Sequence, residues 1–113
     1  MDLPLGLAVA DNTVVLDGVN AHFMEYLAHL GMIHKLLFGT DLVITSGKDG
    51  QHVAGSLHPL GLAVDLRTRD KTPEQFDLWM HVLSYSADAV PIAVFDERNV
   101  PPGKHLHLEW HGA

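Results

Sequence analysis

The stretch Ser56-Leu57-His58-Pro59-Leu60-Gly61-Leu62-Ala63-Val64-Asp65 reads as a loop that runs into a strand. Successive side chains of a strand point to opposite faces. Leu62, Val64 and Leu66 therefore share one face, and Gly61, Ala63 and Asp65 share the other. The pattern recurs near the C-terminus in His105-Leu106-His107-Leu108-Glu109-Trp110. There Leu106, Leu108 and Trp110 make an apolar side, and His105, His107 and Glu109 a polar one. Each strand thus offers one side to a core and carries potential ligands on the other. Gly61 and Ala63 are small and leave open space beside Asp65, which suits a shallow site laid across a sheet.

The remaining elements follow from the same kind of reading. Residues 42–46 (Leu-Val-Ile-Thr-Ser) are apolar and rich in β-branched side chains and predict a buried strand. Residues 13–16 (Thr-Val-Val-Leu) predict a short strand before the Asp17-Gly18 turn. From Asn20 to Phe38 the apolar residues Phe23, Tyr26, Leu27, Leu30, Ile33, Leu37 and Phe38 recur at helical spacing, with Asn20 as cap and Gly39 as stop. Gly31 weakens that helix a little. Thr72-Pro73-Glu74-Gln75 announces a second helix ending near Ala87, because Thr72 can cap, Pro73 suits the first turn and Gln75 completes a capping box. Its buried stripe is Phe76, Trp79, Met80 and Leu83. Residues 47–56 read as a loop, 62–67 and 90–95 as strands, and Asn99 to Lys104, with Pro101-Pro102-Gly103, as a turn. Several strands are joined by loops rather than helices. The expectation is an α+β fold: one small, mostly antiparallel sheet with helices packed on one face.

A chain of 113 residues allows one domain, taken here as 1–113. With 47% hydrophobic and 19% charged residues a globular core is expected and disorder is not. Seven Lys and Arg against 14 Asp and Glu give a net charge of −7 with His neutral. No basic stripe is present to displace counterions from a phosphate backbone, so nucleic acid is not an expected partner. The absence of Cys excludes disulfides, thiolate zinc sites and a thiol nucleophile. Charge interrupts every apolar run too soon for a membrane span. The start Met1-Asp2-Leu3-Pro4 lacks the features of a secretory signal, which points to synthesis in the cytoplasm. A substrate outside the cell would then require export or lysis.

Nine His stand in the chain, and their positions carry the chemistry. Imidazole nitrogen and carboxylate oxygen suit Zn²⁺, and three protein ligands leave one position for water. His58, Asp65 and His107 would make such a set. Zinc would acidify that water and polarise a carbonyl, the two needs of amide hydrolysis. His105, on the same face as His107, would act as base or stabilise an oxyanion. Glu109 reads as a solvated carboxylate or an outer partner of the site. His22, His29, His34, His52, His81 and His111 read as structural or surface residues.

The pattern S-x-H-x-x-G-x-A-x-D, filled by Ser56, His58, Gly61, Ala63 and Asp65 and followed by His105-x-His107, resembles the zinc D-alanyl-D-alanine carboxypeptidases and related peptidoglycan peptidases. The Hedgehog signalling domain shares their fold. The resemblance runs from about Asn20 to Trp110. It implies a Hedgehog/DD-peptidase-like fold, a zinc cofactor held by His58, Asp65 and His107, and His105 acting beside the metal. Some family members place a catalytic Glu three residues before the last ligand; that position is Lys104 here. Glu97, on the loop leading into the last strand, is the other carboxylate considered as a catalytic group. Thr45-Ser46-Gly47-Lys48 is similar to the family's S-G-x-R segment, with Lys48 in place of the Arg that holds a substrate carboxylate. Lys keeps the charge and loses the bidentate fork. Ser56 is expected to hydrogen-bond near the substrate or the ligands.

Two functional classes follow. One is a zinc peptidase, monomeric, hydrolysing either a D-Ala-D-Ala or an L-Ala-D-Glu-type bond in peptidoglycan stem peptides, as a phage lysis enzyme (endolysin) would. The other is a non-catalytic module of the same fold that keeps zinc for structure or for peptide binding. A cupin reading of His105-x-His107-x-Glu109 fails because only His111, Gly112 and Ala113 follow Trp110.

Overall fold

The computed structural model describes residues 3–50, 55–99 and 105–112. Five strands and two α-helices follow one another as β1 (Leu7–Val9), α1 (Ala21–Phe38), β2 (Leu42–Ser46), β3 (Ala63–Arg67), α2 (Pro73–Ala87), β4 (Ile92–Asp96) and β5 (His105–Trp110), with a single 3-10 turn, His58–Leu60, ahead of β3. The strands form one sheet in the order β1-β2-β3-β5-β4. β1 runs parallel to β2; the other three pairings are antiparallel. The fold is α+β with a mixed sheet.

Both helices cover the same face of the sheet. Phe23, Leu27 and Leu30 of α1 and Phe76, Trp79 and Leu83 of α2 join Leu42, Ile44, Val64, Leu66, Leu106 and Leu108 in one cluster. Each large apolar side chain buried this way contributes about 1.5–3 kcal/mol. The local signals behave as their chemistry requires. Asn20 Oδ1 accepts from Phe23 N–H at 3.1 Å, and Gly39, at φ 75°, closes α1 onto Lys35 O. Thr72 and Gln75 exchange their capping hydrogen bonds at 3.2 and 2.9 Å.

Three sequence expectations are corrected. No strand forms over residues 13–16, which run as turn and coil. The loop after β2 takes their backbone groups instead: Val15 N–H donates to Asp49 Oδ1, and Lys48 N–H donates to Val15 O, each at 2.8 Å. The outer strand paired with β2 is instead β1, which three residues of modest alternation do not announce. Its approach explains Gly31. A Cβ on Gly31 would press on the backbone of Gly6, and one on Gly6 on that of Gly31, so this glycine lets strand and helix touch. Finally, Ile33 and Leu37 are exposed, and the inward stripe of α1 continues through His34. His34 Nδ1–H donates to Thr40 O at 2.7 Å, and its ring meets Trp79 edge-on at 5.0 Å. The boundaries of β3 and β4 differ by one or two residues from the expected 62–67 and 90–95. The turn expected after Asn99 lies outside the described residues. Among the described residues no helix is long and apolar enough to cross a membrane.

Candidate metal centre

The polar face of the sheet is opposite the helices. Asp65 on β3 pairs in register with His107 on β5, and His107 pairs with Phe95 on β4. Alternation puts Val64 and Leu66 fully in the core and turns Asp65 to the other side. His58 reaches the same place from the 3-10 turn. That turn ends at Gly61, whose φ of +73° and close approach to the Gly18 carbonyl leave no room for a side chain. Gly61 O also accepts from Asn20 N–H at 2.9 Å, which fastens the turn to the start of α1. Ser56 Oγ accepts from His58 N–H at 3.2 Å, just ahead of the turn.

His58 Nε2, Asp65 Oδ1 and His107 Nδ1 converge. The separations are 3.3 Å between the two nitrogens, 3.3 Å from His58 to Asp65 and 3.0 Å from His107 to Asp65. The far nitrogen of each ring is committed elsewhere. His58 Nδ1 lies 2.8 Å from Gly47 O, and a carbonyl can only accept, so the proton is on Nδ1. His107 Nε2–H donates in the same way to Glu109 Oε1 at 3.0 Å. In the neutral tautomers the converging nitrogens are therefore lone pairs, aimed at a carboxylate oxygen. Three acceptors this close need positive charge among them, either protons or a cation. The titration behaviour agrees. Burial would lower the pKa of His58 and of His107, yet the hydrogen bonds and charge of Asp65 outweigh it, with help from Gly47 O and Glu109, and both are raised. Burial would raise the Asp65 carboxyl, but hydrogen bonds to His107 and His58 and the charges of His58 and His105 hold it well below the usual carboxylate range.

The arrangement is one that could hold a metal ion. Each His presents one nitrogen, while the other donates to a carbonyl or carboxylate that sets tautomer and ring orientation. His58, Asp65 and His107 are a group whose ligand atoms lie close enough to hold one ion, and Asp65, Glu97 and His105 form a second such group. The residues expected from the sequence are thus brought together. His105 Nε2–H donates to Glu97 Oε1 at 2.9 Å and stands 3.7 Å from Asp65 Oδ1. Glu97 follows directly on β4 and reaches the site by this contact. Lys48 comes from the loop beside His58; its Nζ lies over Gly18, and it forms no ion pair among the described residues.

Other contributors were less legible. Glu109 lies on the face of His107 by simple alternation, a signal the sequence does contain. His111 Nε2 joins Glu109 Oε2 at 3.0 Å from beyond the strand, where alternation gives no guide. The ring of Phe95, 46% exposed, lies 5.8 Å from that of His107. Only the β4–β5 register places it there. His22, His29 and His81 are exposed, His34 belongs to the core, and His52 lies outside the described residues. Two cavities, of about 230 and 310 Å³, are lined by other residues, Thr68 to Phe76 with Arg98 and Leu3 to Asp17 respectively. Neither contains the cluster, whose side chains are largely buried, at 3% (His58), 10% (Asp65) and 14% (His107) exposed. No family model, curated protein or solved structure matches this chain.

Proposed function

We propose that this protein is a zinc-dependent peptidase acting on the stem peptides of peptidoglycan, with His58, Asp65 and His107 as the metal ligands. The observation that carries the reading is the convergence of two imidazole lone pairs and a carboxylate oxygen, each ring locked from behind, beside a separate His–carboxylate pair. Two imidazoles and one carboxylate suit Zn²⁺ and leave a coordination position open. A zinc ion held there supplies Lewis acidity, which polarises a carbonyl and lowers the pKa of water. The protein does the rest. Glu97 fixes the orientation of the His105 ring through its Nε2–H, so that His105 can act as base or stabilise a developing oxyanion. Phe95 gives a substrate chain an apolar edge to lie against. Lys48 and Ser56 complete the proposed substrate contacts, Lys48 as a point charge and Ser56 chiefly through the turn that carries His58.

The motif resemblance supplies the substrate class: a D-Ala-D-Ala bond or an L-Ala-D-Glu-type bond. Release of the protein onto the wall by lysis, as for a phage enzyme, belongs to the same proposal. The test is incubation of purified sacculi with the zinc-loaded protein, with and without chelator, and mass spectrometry of the released fragments. Fragments that disappear with chelator name the bond. Tight zinc binding with no fragment from Gram-negative or Gram-positive sacculi would overturn the peptidase reading in favour of a binding module.

A further inference from the structure

Arg67 ends β3 on the side of the sheet that carries the cluster. Ala63, Asp65 and Arg67 alternate with Val64 and Leu66, and the latter two are fully buried in the core. In the antiparallel register Asp65 faces His107 and Arg67 faces His105. Directly opposed residues of such a pair have Cβ atoms about 4.5–5.5 Å apart. Arg67 is thus the cross-strand neighbour of the imidazole placed beside the metal ligands, one step along the cleft from Asp65.

Its surroundings differ from those of the paired basic residues. With 14 acidic and seven basic residues, carboxylates are plentiful. Lys35 pairs with Asp41, Lys71 with Asp70, and Arg98 with Asp96 through two hydrogen bonds. Arg67 makes no ion pair and no side-chain hydrogen bond among the described residues. Its side chain is half-buried, and Nε is removed from solvent with no acceptor. A buried donor without a partner is costly to leave unmade. A guanidinium is charged at every accessible pH and offers a planar fork that fits a carboxylate through two parallel hydrogen bonds.

We propose that Arg67 is the anion anchor of this cleft and grips a carboxylate of the peptide substrate at the His105 end. The proposal rests on the peptidase reading for the nature of the ligand. It also gives Lys48 a complementary place: Lys48 lies on the His58 side of the cluster, packed over Gly18 as a single point charge. The forked cation that the S-G-x-Lys48 segment lacks is thus present on a different strand.

The experiment compares N-acetyl-L-Lys-D-Ala-D-Ala with its C-terminal amide on the zinc-loaded full chain. Affinity is measured by NMR titration or calorimetry, and kcat/KM wherever turnover occurs. The free acid should bind roughly 10–100-fold more tightly than the amide, the size expected for hydrogen bonds to a charged group. Arg67→Gln should abolish that preference, and Arg67→Lys should keep part of it. Zinc content and far-UV circular dichroism of each variant accompany the titrations. Equal affinity of the unaltered protein for acid and amide overturns the proposal without any variant. So does a preference that survives in Arg67→Gln. Cleavage of sacculi without an acid preference leaves the peptidase reading standing and removes the anchor. An Arg67-dependent acid preference without cleavage does the reverse.

Discussion

His107 Nδ1 lies 3.0 Å from Asp65 Oδ1 although the proton of the neutral ring is on the opposite nitrogen, donated to Glu109. A lone pair facing a carboxylate at hydrogen-bond distance is stable only if a proton or a cation sits between or beside them. His58 repeats the arrangement, with Gly47 O in the part of Glu109. Glu109 and Gly47 are therefore as much a part of the site as the ligands, because they decide which nitrogen is left to bind.

One zinc per chain is expected, and His58→Ala, Asp65→Ala and His107→Ala should each lose it by elemental analysis. His105→Ala should keep zinc. General acid–base help is typically worth about 10²–10⁴-fold, so kcat should fall by that factor with little change in KM. Full zinc in His58→Ala, or loss of zinc in His105→Ala but not in His107→Ala, would show the roles assigned here to be wrong.

Glu109→Gln should weaken zinc binding by about 10–100-fold, the usual effect of removing a carboxylate that orients a ligand His. His111→Ala should do much less, because His111 is 53% exposed at its side chain and its ring meets the far oxygen of Glu109, not His107. A competition assay with a chromophoric chelator reads both. Equal effects from the two variants would mean that Glu109 does not act through His107.

The metal-free protein should lose stability as pH rises. His58 and His107 have raised pKa values in the fold, chiefly through Asp65, which overcomes the opposing effect of burial. Their contribution is complete below the unfolded value of about 6.5 and disappears as pH climbs through the raised folded values. Asp65 is depressed, so its contribution is lost only in strong acid, as pH falls through its folded value. His34, whose pKa burial lowers, acts in the opposite sense to the other two histidines and loses stability below about pH 6.5. The measurement is therefore the difference in melting temperature between the parent protein and His107→Ala from pH 5 to 9. That difference should shrink toward high pH. The stabilisation by added zinc should grow over the same range, because the metal competes with protons for both rings. A difference that is flat with pH would remove the argument that Asp65 charges these rings.

Gly61→Ala should be one of the most damaging small substitutions. The position is left-handed, which costs a residue with a side chain about 1–2 kcal/mol, and the added methyl would run into the Gly18 carbonyl. The turn carrying His58 must then shift. Thermal unfolding should show a loss above 2 kcal/mol, about the upper end of that backbone cost, and zinc affinity should fall with it. Gly39→Ala is the control. Gly39 is also left-handed but has open space around it and lies at the end of α1, so stability should drop while zinc affinity stays.

The alternation of Leu62 to Leu66 and of Leu106 to Trp110 was enough to place Asp65 and His107 on a polar face, because strand periodicity is a local property of the backbone. The caps of both helices were legible for the same reason: Asn20, Gly39, Thr72 and Gln75 act within four residues of themselves. What no local rule contains is the register between strands. That β3 meets β5 with Asp65 opposite His107 and Arg67 opposite His105, and that β4 brings Phe95 and Glu97 alongside, depends on how the whole sheet assembles. The same holds for the segment 13–16, whose β-branched residues favour a strand until the loop at 47–49 takes their hydrogen bonds, and for His34, which turns inward where the periodicity favoured Ile33. The sequence by itself determined the ligand types and the face on which they stand. The tertiary structure decided which atoms of those side chains converge, because their approach is set by partners 11 to 49 residues away: Gly47 for His58, Asp65 for His107, and His107 for His58.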